Sequence, residues 1–105
     1  MKKGKNIFEQ LYFSKEEEKI EEIFQIPDKN FRVERILSSS QVSKEWYDQE
    51  ENEYVVLLEG KARIVYENGE EVFLQAGDTL FLPAHKKHKV SFTSERCLWL
   101  CIFFN

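Results

Sequence analysis

The sequence predicts an all-β fold, a closed antiparallel barrel or sandwich, preceded by one short helix. Three observations carry that expectation. Short apolar runs with period-two alternation recur from residue 31 onward. Turn signals such as Asn68-Gly69 and Gly77-Asp78 separate them. At 105 residues with 42% apolar and 14% aromatic side chains, the chain suits one core in one domain.

The elements follow in order. Ser14 with Glu17 three residues later has the spacing of a capping box, which satisfies two orphan helix amides. Glu16, Glu17 and Glu18 suit the positive end of a helix dipole. Ile20, Ile23 and Phe24 form one stripe at i, i+3, i+4, and Pro27-Asp28 reads as a stop. Residues 1–30 are therefore expected as a helical segment packed on a barrel formed by residues 31–105. In the first strand Phe31, Val33 and Leu37 alternate with Arg32 and Glu34, and the polar run Ser38-Ser39-Ser40-Gln41 follows. Tyr54 to Leu58 is a continuous apolar strand ending at Glu59-Gly60, and Ala62, Ile64 and Tyr66 alternate in the next. Asn68-Gly69 is the signature of a two-residue type I′ hairpin. Val72 to Leu74 returns from it, Leu80 to Leu82 runs into Pro83, and Val90 and Phe92 alternate with polar partners. The last strand, residues 97–104, is apolar on both faces: Cys97, Trp99, Cys101 and Phe103 on one, Leu98, Leu100, Ile102 and Phe104 on the other. A barrel has one interior, so the second face needs a cover, from the N-terminal helix or from a partner subunit; a homodimer is expected.

Charge and composition narrow the function. A net charge of −4 opposes binding to nucleic acid, which relies on neutralising phosphates with Lys and Arg. No run of 18 apolar residues could span a bilayer. The basic opening Met1-Lys2-Lys3-Gly4-Lys5 is followed by an apolar stretch that Glu9 and Gln10 interrupt, so a cytoplasmic, soluble protein is expected. Cys97 and Cys101, four apart in a strand, stand roughly 13 Å from each other at about 3.3 Å per residue. That is too far for a disulfide. Buried thiols are expected. Trp46, Tyr66, Phe73, Phe81, Phe92 and Trp99 are expected in the core.

Two segments resemble the paired motifs of the cupins. Glu53-Tyr54-Val55-Val56-Leu57-Leu58-Glu59-Gly60 resembles the end of the first motif, a Glu and a Gly separated by six residues. Gly77-Asp78-Thr79-Leu80-Phe81-Leu82-Pro83-Ala84-His85-Lys86-Lys87-His88 resembles the second, with Gly77, Pro83 and His88 in register. Trp46-Tyr47-Asp48-Gln49 ahead of them is similar to a branch of small single-domain cupins. The resemblance implies a jelly-roll barrel, often dimeric, whose metal-bearing members place two motif-one histidines, the motif-one Glu and the motif-two His around a divalent metal. Here Glu53 and His88 match, whereas Tyr47 and Gln49 stand at the histidine positions. The glycine that opens motif one is missing, and His85 occupies a small-residue position.

Chemically, Tyr47 and Gln49 share a face if their segment is extended, and His88 shares its parity with Val90 and Phe92. A site of Gln49, Glu53 and His88, completed by Tyr47 or water, is compatible with Zn, Mn, Fe or Ni. The alternative is a Glu53–His88 hydrogen-bonded pair, with Tyr47 and Gln49 completing the network. In a catalytic site Glu53 would be general base or ligand, and His88 ligand or proton donor. His85 is expected at the rim, and parity turns Phe92 and Trp99 toward the pocket. The run His85-Lys86-Lys87-His88-Lys89 would draw an anion if it faced the mouth, or else lies on a solvated turn. Three functions follow: a small-molecule-binding barrel with a weak metal site and an enzymatic activity, a metal-free ligand-binding or sensor module, and a structural protein assembling through its last strand.

Overall fold

The computed structural model describes residues 3–105 and turns the period-two segments into eight strands. These are β1 (Lys19–Ile26), β2 (Phe31–Ser38), β3 (Asn52–Glu59), β4 (Lys61–Tyr66), β5 (Glu71–Gln75), β6 (Thr79–Leu82), β7 (His88–Thr93) and β8 (Cys97–Phe104). A five-stranded antiparallel sheet has the order β1-β2-β8-β3-β6, and a three-stranded antiparallel sheet the order β5-β4-β7. The core packs the alternate residues Cys97, Trp99, Cys101 and Phe103 of β8 and Val55 and Leu57 of β3 against Ala62, Ile64 and Tyr66 of β4. Each large apolar side chain buried this way contributes about 1.5–3 kcal/mol. No helix among the described residues is long and apolar enough to cross a membrane.

The expected N-terminal helix is a strand. β1 pairs with β2 from Lys19↔Leu37 to Ile26↔Phe31, with a bulge between Glu22 and Phe24. Ile20, beside Ile36, and Phe24, beside Val33, therefore lie on opposite faces of the sheet rather than on one helical stripe. Pro27-Asp28 makes a hairpin turn: Lys29 N donates to Ile26 O at 3.1 Å and Asn30 takes a left-handed φ of 48°. Pro at the second turn position favours this as much as a helix stop. Ser14 does not cap a helix. Its Oγ accepts from Glu16 N and donates to the Glu16 carboxylate.

The cover for the outer face of β2 and β8 is the irregular segment before β1. Arg35, 0% exposed, donates to the carbonyls of Ile7, Glu9 and Gln10 and to the Glu21 carboxylate. Leu37 and Leu98, paired across β2 and β8, are fully buried. Farther along the sheet the outer face is uncovered. Phe24↔Val33↔Ile102↔Tyr54↔Phe81 is one apolar row across all five strands.

Two turns depart from the simplest expectation or enforce it. At Asn68-Gly69 only Gly69 has a positive φ, 92°, and its N donates to Tyr66 O at 2.9 Å. The turn is therefore not type I′, which needs two such residues; it is the longer loop in which a left-handed glycine follows an ordinary turn. Gly60 has φ 89°, and a Cβ there would lie 2.1 Å from Arg96 O. Only glycine fits between β3 and β4. Of the six aromatics expected in the core, Tyr66 and Trp99 are buried, whereas Trp46, Phe73, Phe81 and Phe92 are exposed on outer faces.

Candidate functional site

Between the two sheets lies a cavity of about 310 Å³. Its walls come from β2, β3 and β8 on one side and β4 and β7 on the other, through Ile36, Val55, Trp99, Cys101, Ile64 and Val90. The segment between β2 and β3 is laced across its mouth. Ser43 N donates to Val90 O, Val90 N to Ser43 Oγ, and Tyr47 and His88 exchange backbone bonds at 2.8 and 3.2 Å. Gln41, Val42, Ser43, Tyr47 and Gln49 of this strap line the opening.

Tyr47, Gln49, Glu53 and His88 all line this one cavity. Glu53 points inward because it shares a face of β3 with Val55 and Leu57, and it is 8% exposed. Burial raises its pKa; the Cys101 thiol and the Gln49 amide donate to it and lower it, as does the proximity of His88, whereas the charge of Glu34 raises it. Gln49 Nε2 lies 3.1 Å from Glu53 Oε1. His88 is 4% exposed. Its Nδ1 is 3.0 Å from Lys86 O, an acceptor, so Nδ1 carries a proton and Nε2 is left toward the cavity with no protein partner among the described residues. The Tyr47 ring sits 5.5 Å from the His88 ring, centre to centre, and is half-exposed at the lip. Glu53 and His88 make no direct hydrogen bond; each is held by other partners, with the cavity between them.

Trp99 lines the cavity, and its indole N–H donates to Ser38 Oγ at 3.1 Å. Phe92 and His85 do not line it, contrary to expectation. The β4–β7 register slips between Arg63 and Ile64, which pair with Phe92 and Val90 and leave Ser91 bulged. Phe92 is thereby turned to the outer face, 47% exposed. His85, with a side chain 65% exposed, bonds Asp48 at 2.9 Å outside the cavity. The lysines also face outward. Lys86 lies over the Tyr66 ring, Lys89 over the Trp46 ring, and Lys87 faces Glu67.

The sequence reading missed two carboxylates, Glu18 and Glu34, which line the cavity. Glu34 shares the inner face of β2 with Arg32, Ile36 and Ser38, opposite Cys101. Glu18, just before β1, accepts from Ser38 Oγ at 2.7 Å. The lone Ile36 among polar neighbours was the signal that this polar face turns inward.

The donor set does not fit a firmly held divalent metal. Glu53 and His88 are the two conventional ligands, and no group of three or more His, Cys, Asp or Glu in a metal-holding arrangement occurs among the described residues. Gln49 turns its NH₂ rather than its oxygen toward Glu53, and a half-exposed phenol, Tyr47, is a poor ligand. Burial and Glu53 push the Cys101 pKa well up, so it stays a neutral thiol. The four residues Gln49, Glu53, His88 and Tyr47 expected as metal ligands are thus gathered into a hydrogen-bonding pocket. Cys97 is likewise buried and free, its pKa pushed up to about 12 by burial.

The structure is similar to a Ralstonia eutropha protein provisionally named a mannose-6-phosphate isomerase, at 28% identity and a TM-score of 0.90 over 99% of both chains. It is also similar to an RmlC-like cupin protein from Desulfovibrio desulfuricans, at 19% identity and a TM-score of 0.79 over 99% of this chain and 97% of that one. A conserved Streptococcus pyogenes protein of unknown function matches at 15% identity and a TM-score of 0.79, over 98% of this chain and 87% of that one. Among curated proteins there is no match. The family model of the cupin domain matches residues 34–103, the span from Glu34 on β2 to Phe103 on β8 that builds both sheets and the cavity, and the chain therefore belongs to the cupin family.

Proposed function

We propose that the protein binds a small organic molecule inside the barrel, with the polar end of that molecule seated between Glu53 and His88, and that it needs no metal to do so. One observation carries this reading. Two polar side chains, each more than nine-tenths buried and borne by opposite sheets, line one cavity with no hydrogen bond between them. Each keeps hydrogen-bonding capacity beyond its protein partners, Gln49 and Cys101 for Glu53 and Lys86 for His88, and burial withholds water from it, so a ligand that bridges the two would supply the missing bonds. Ile36, Val55, Ile64 and Trp99 would enclose its apolar part.

The same pair supports a proton-transfer activity. A carboxyl whose pKa burial raises, opposite a histidine nitrogen that no protein group among the described residues engages, suits acid–base work on a bound molecule. Isomerase or lyase chemistry is the class this favours, in keeping with the isomerase name given to the R. eutropha protein.

Chelator-treated protein tests the metal-free reading. A small-molecule library screened in EDTA should yield a ligand that raises Tm. At a hundredfold excess over Kd the expected gain is about 2.7 kcal/mol, several degrees for a domain of this size. Val42→Trp, which crowds the mouth at an already exposed position, should abolish the shift and leave the unliganded Tm unchanged. Ligand-induced shifts that vanish with EDTA and return with one metal per chain would overturn it.

We also infer that the chain pairs with a second copy through the outer face of the five-stranded sheet. A two-fold rotation about Ile102, the centre of the row from Phe24 to Phe81, sets that row against itself, as an isologous dimer requires. Ile102→Lys should weaken self-association at least about tenfold by sedimentation velocity, with little change in the unfolding of the monomer. A wild type that stays monomeric at high micromolar concentration refutes the dimer.

A further inference from the structure

We propose that the ligand of this cavity is a small protonated amine on an apolar body, and that anionic molecules such as sugar phosphates are excluded. The proposal rests on the small-molecule reading above and adds the ligand's charge class. Three carboxylates, Glu18, Glu34 and Glu53, face the cavity, and no lysine or arginine lines it. Arg32 approaches Glu34 at 3.1 Å, but it also binds Glu51 and stacks 4.0 Å from the centre of the Phe103 ring. One cation there is shared by two carboxylates, which leaves that corner negative.

A second, independent feature points the same way. His88 is almost wholly buried. With Nδ1–H given to Lys86 O, its Nε2 has no protein partner among the described residues and is open to a ligand. The amide donors at the site are already engaged: Gln49 Nε2 bonds Glu53 and the carbonyl of Glu51, and Gln41 Nε2 bonds Ser14 O. Glu18 forms no ion pair among the described residues and takes a single hydrogen bond, from Ser38 to Oε2. The charged groups left for a ligand are carboxylates, and an ammonium, with up to three N–H donors and a positive charge, satisfies them. The indole of Trp99, which also lines the cavity, favours a cation further. A phosphate would meet carboxylates with no cation to bind it, a desolvation cost with no return.

The test is a matched panel of benzylamine, benzyl alcohol, benzoate and mannose 6-phosphate, titrated into the full chain and followed by calorimetry and by amide chemical shifts of the cavity residues. Benzylamine should bind at least about tenfold more tightly than benzyl alcohol, as charge-assisted hydrogen bonds dictate. Benzoate and mannose 6-phosphate should give no heat. Glu18→Gln, which keeps an oxygen to accept from Ser38 Oγ, should reduce the amine-over-alcohol preference about tenfold, chiefly by weakening the amine. Benzoate or mannose 6-phosphate binding as tightly as the amine would overturn the charge class while the small-molecule reading stands. Silence from the whole panel would remove both.

Discussion

Arg35→Ala is expected to lower the stability of the fold by about 3–5 kcal/mol, the cost of removing one partner from a buried charged network. Arg35 is fully buried, and its two terminal nitrogens hold three backbone carbonyls, those of Ile7, Glu9 and Gln10, as well as Glu21. Truncation releases the segment before β1 that Arg35 holds against the sheet, so the urea midpoint should fall and proteolysis should begin at residues 5–14. Arg35→Met retains the apolar stem and should recover part of the loss; Nε of Arg35 has no partner to forfeit. The acid limb of the unfolding curve should change as well. Glu21 is held below the ordinary carboxylate range, first by the hydrogen bond from Lys5 and then by Arg35. A lowered folded pKa stabilises above the unfolded value near 4.5 and is lost as pH falls through the folded one. Removing Arg35 should flatten that limb below pH 4.5 without abolishing it, because Lys5 remains. Equal midpoints for wild type and Arg35→Ala would refute the anchoring role.

The barrel was legible because its strongest signals are local. Continuous apolar runs such as Tyr54 to Leu58, glycines that only a left-handed turn explains, and the spacing from Gly77 through Pro83 to His88 need no long-range information. The same spacing brought Glu53 and His88 to one cavity. The reading failed where one residue resets parity. A bulge at Ser91 turned Phe92 outward, and one in β1 split Ile20 from Phe24 and made a strand imitate a helical stripe. Bulges carry no composition of their own, so alternation cannot foresee them. The inward face of β2 failed differently. Polar Arg32, Glu34 and Ser38 face the interior, while apolar Val33 and Leu37 lie on the outer face. Inverted polarity is what a functional cavity imposes on a strand.

Glu53→Gln is expected to weaken ligand binding about ten- to a hundredfold, the value of a charge-assisted hydrogen bond in a dry site, while making the unliganded protein more stable. The sign follows from its surroundings. Cys101 and Gln49 donate to the carboxylate, His88 favours its charge and Glu34 opposes it, but burial outweighs them and the folded pKa is raised. A raised carboxyl pKa adds stability relative to the charged form below the unfolded value, and this is lost as pH rises through the folded one. Glutamine keeps an oxygen for the Cys101 and Gln49 donors and carries no charge to bury. The variant should thus match wild type below pH 4.5 and exceed it at pH 8, measured as urea midpoints at both pH values. Glu53→Ala leaves those two donors unanswered and should destabilise at either pH. If Glu53→Gln lost stability at pH 8, the carboxylate would be a structural anchor, retained for the hydrogen bonds it accepts. A gain in stability joined to a loss of binding instead marks a charge that the fold keeps at its own expense for what enters the cavity.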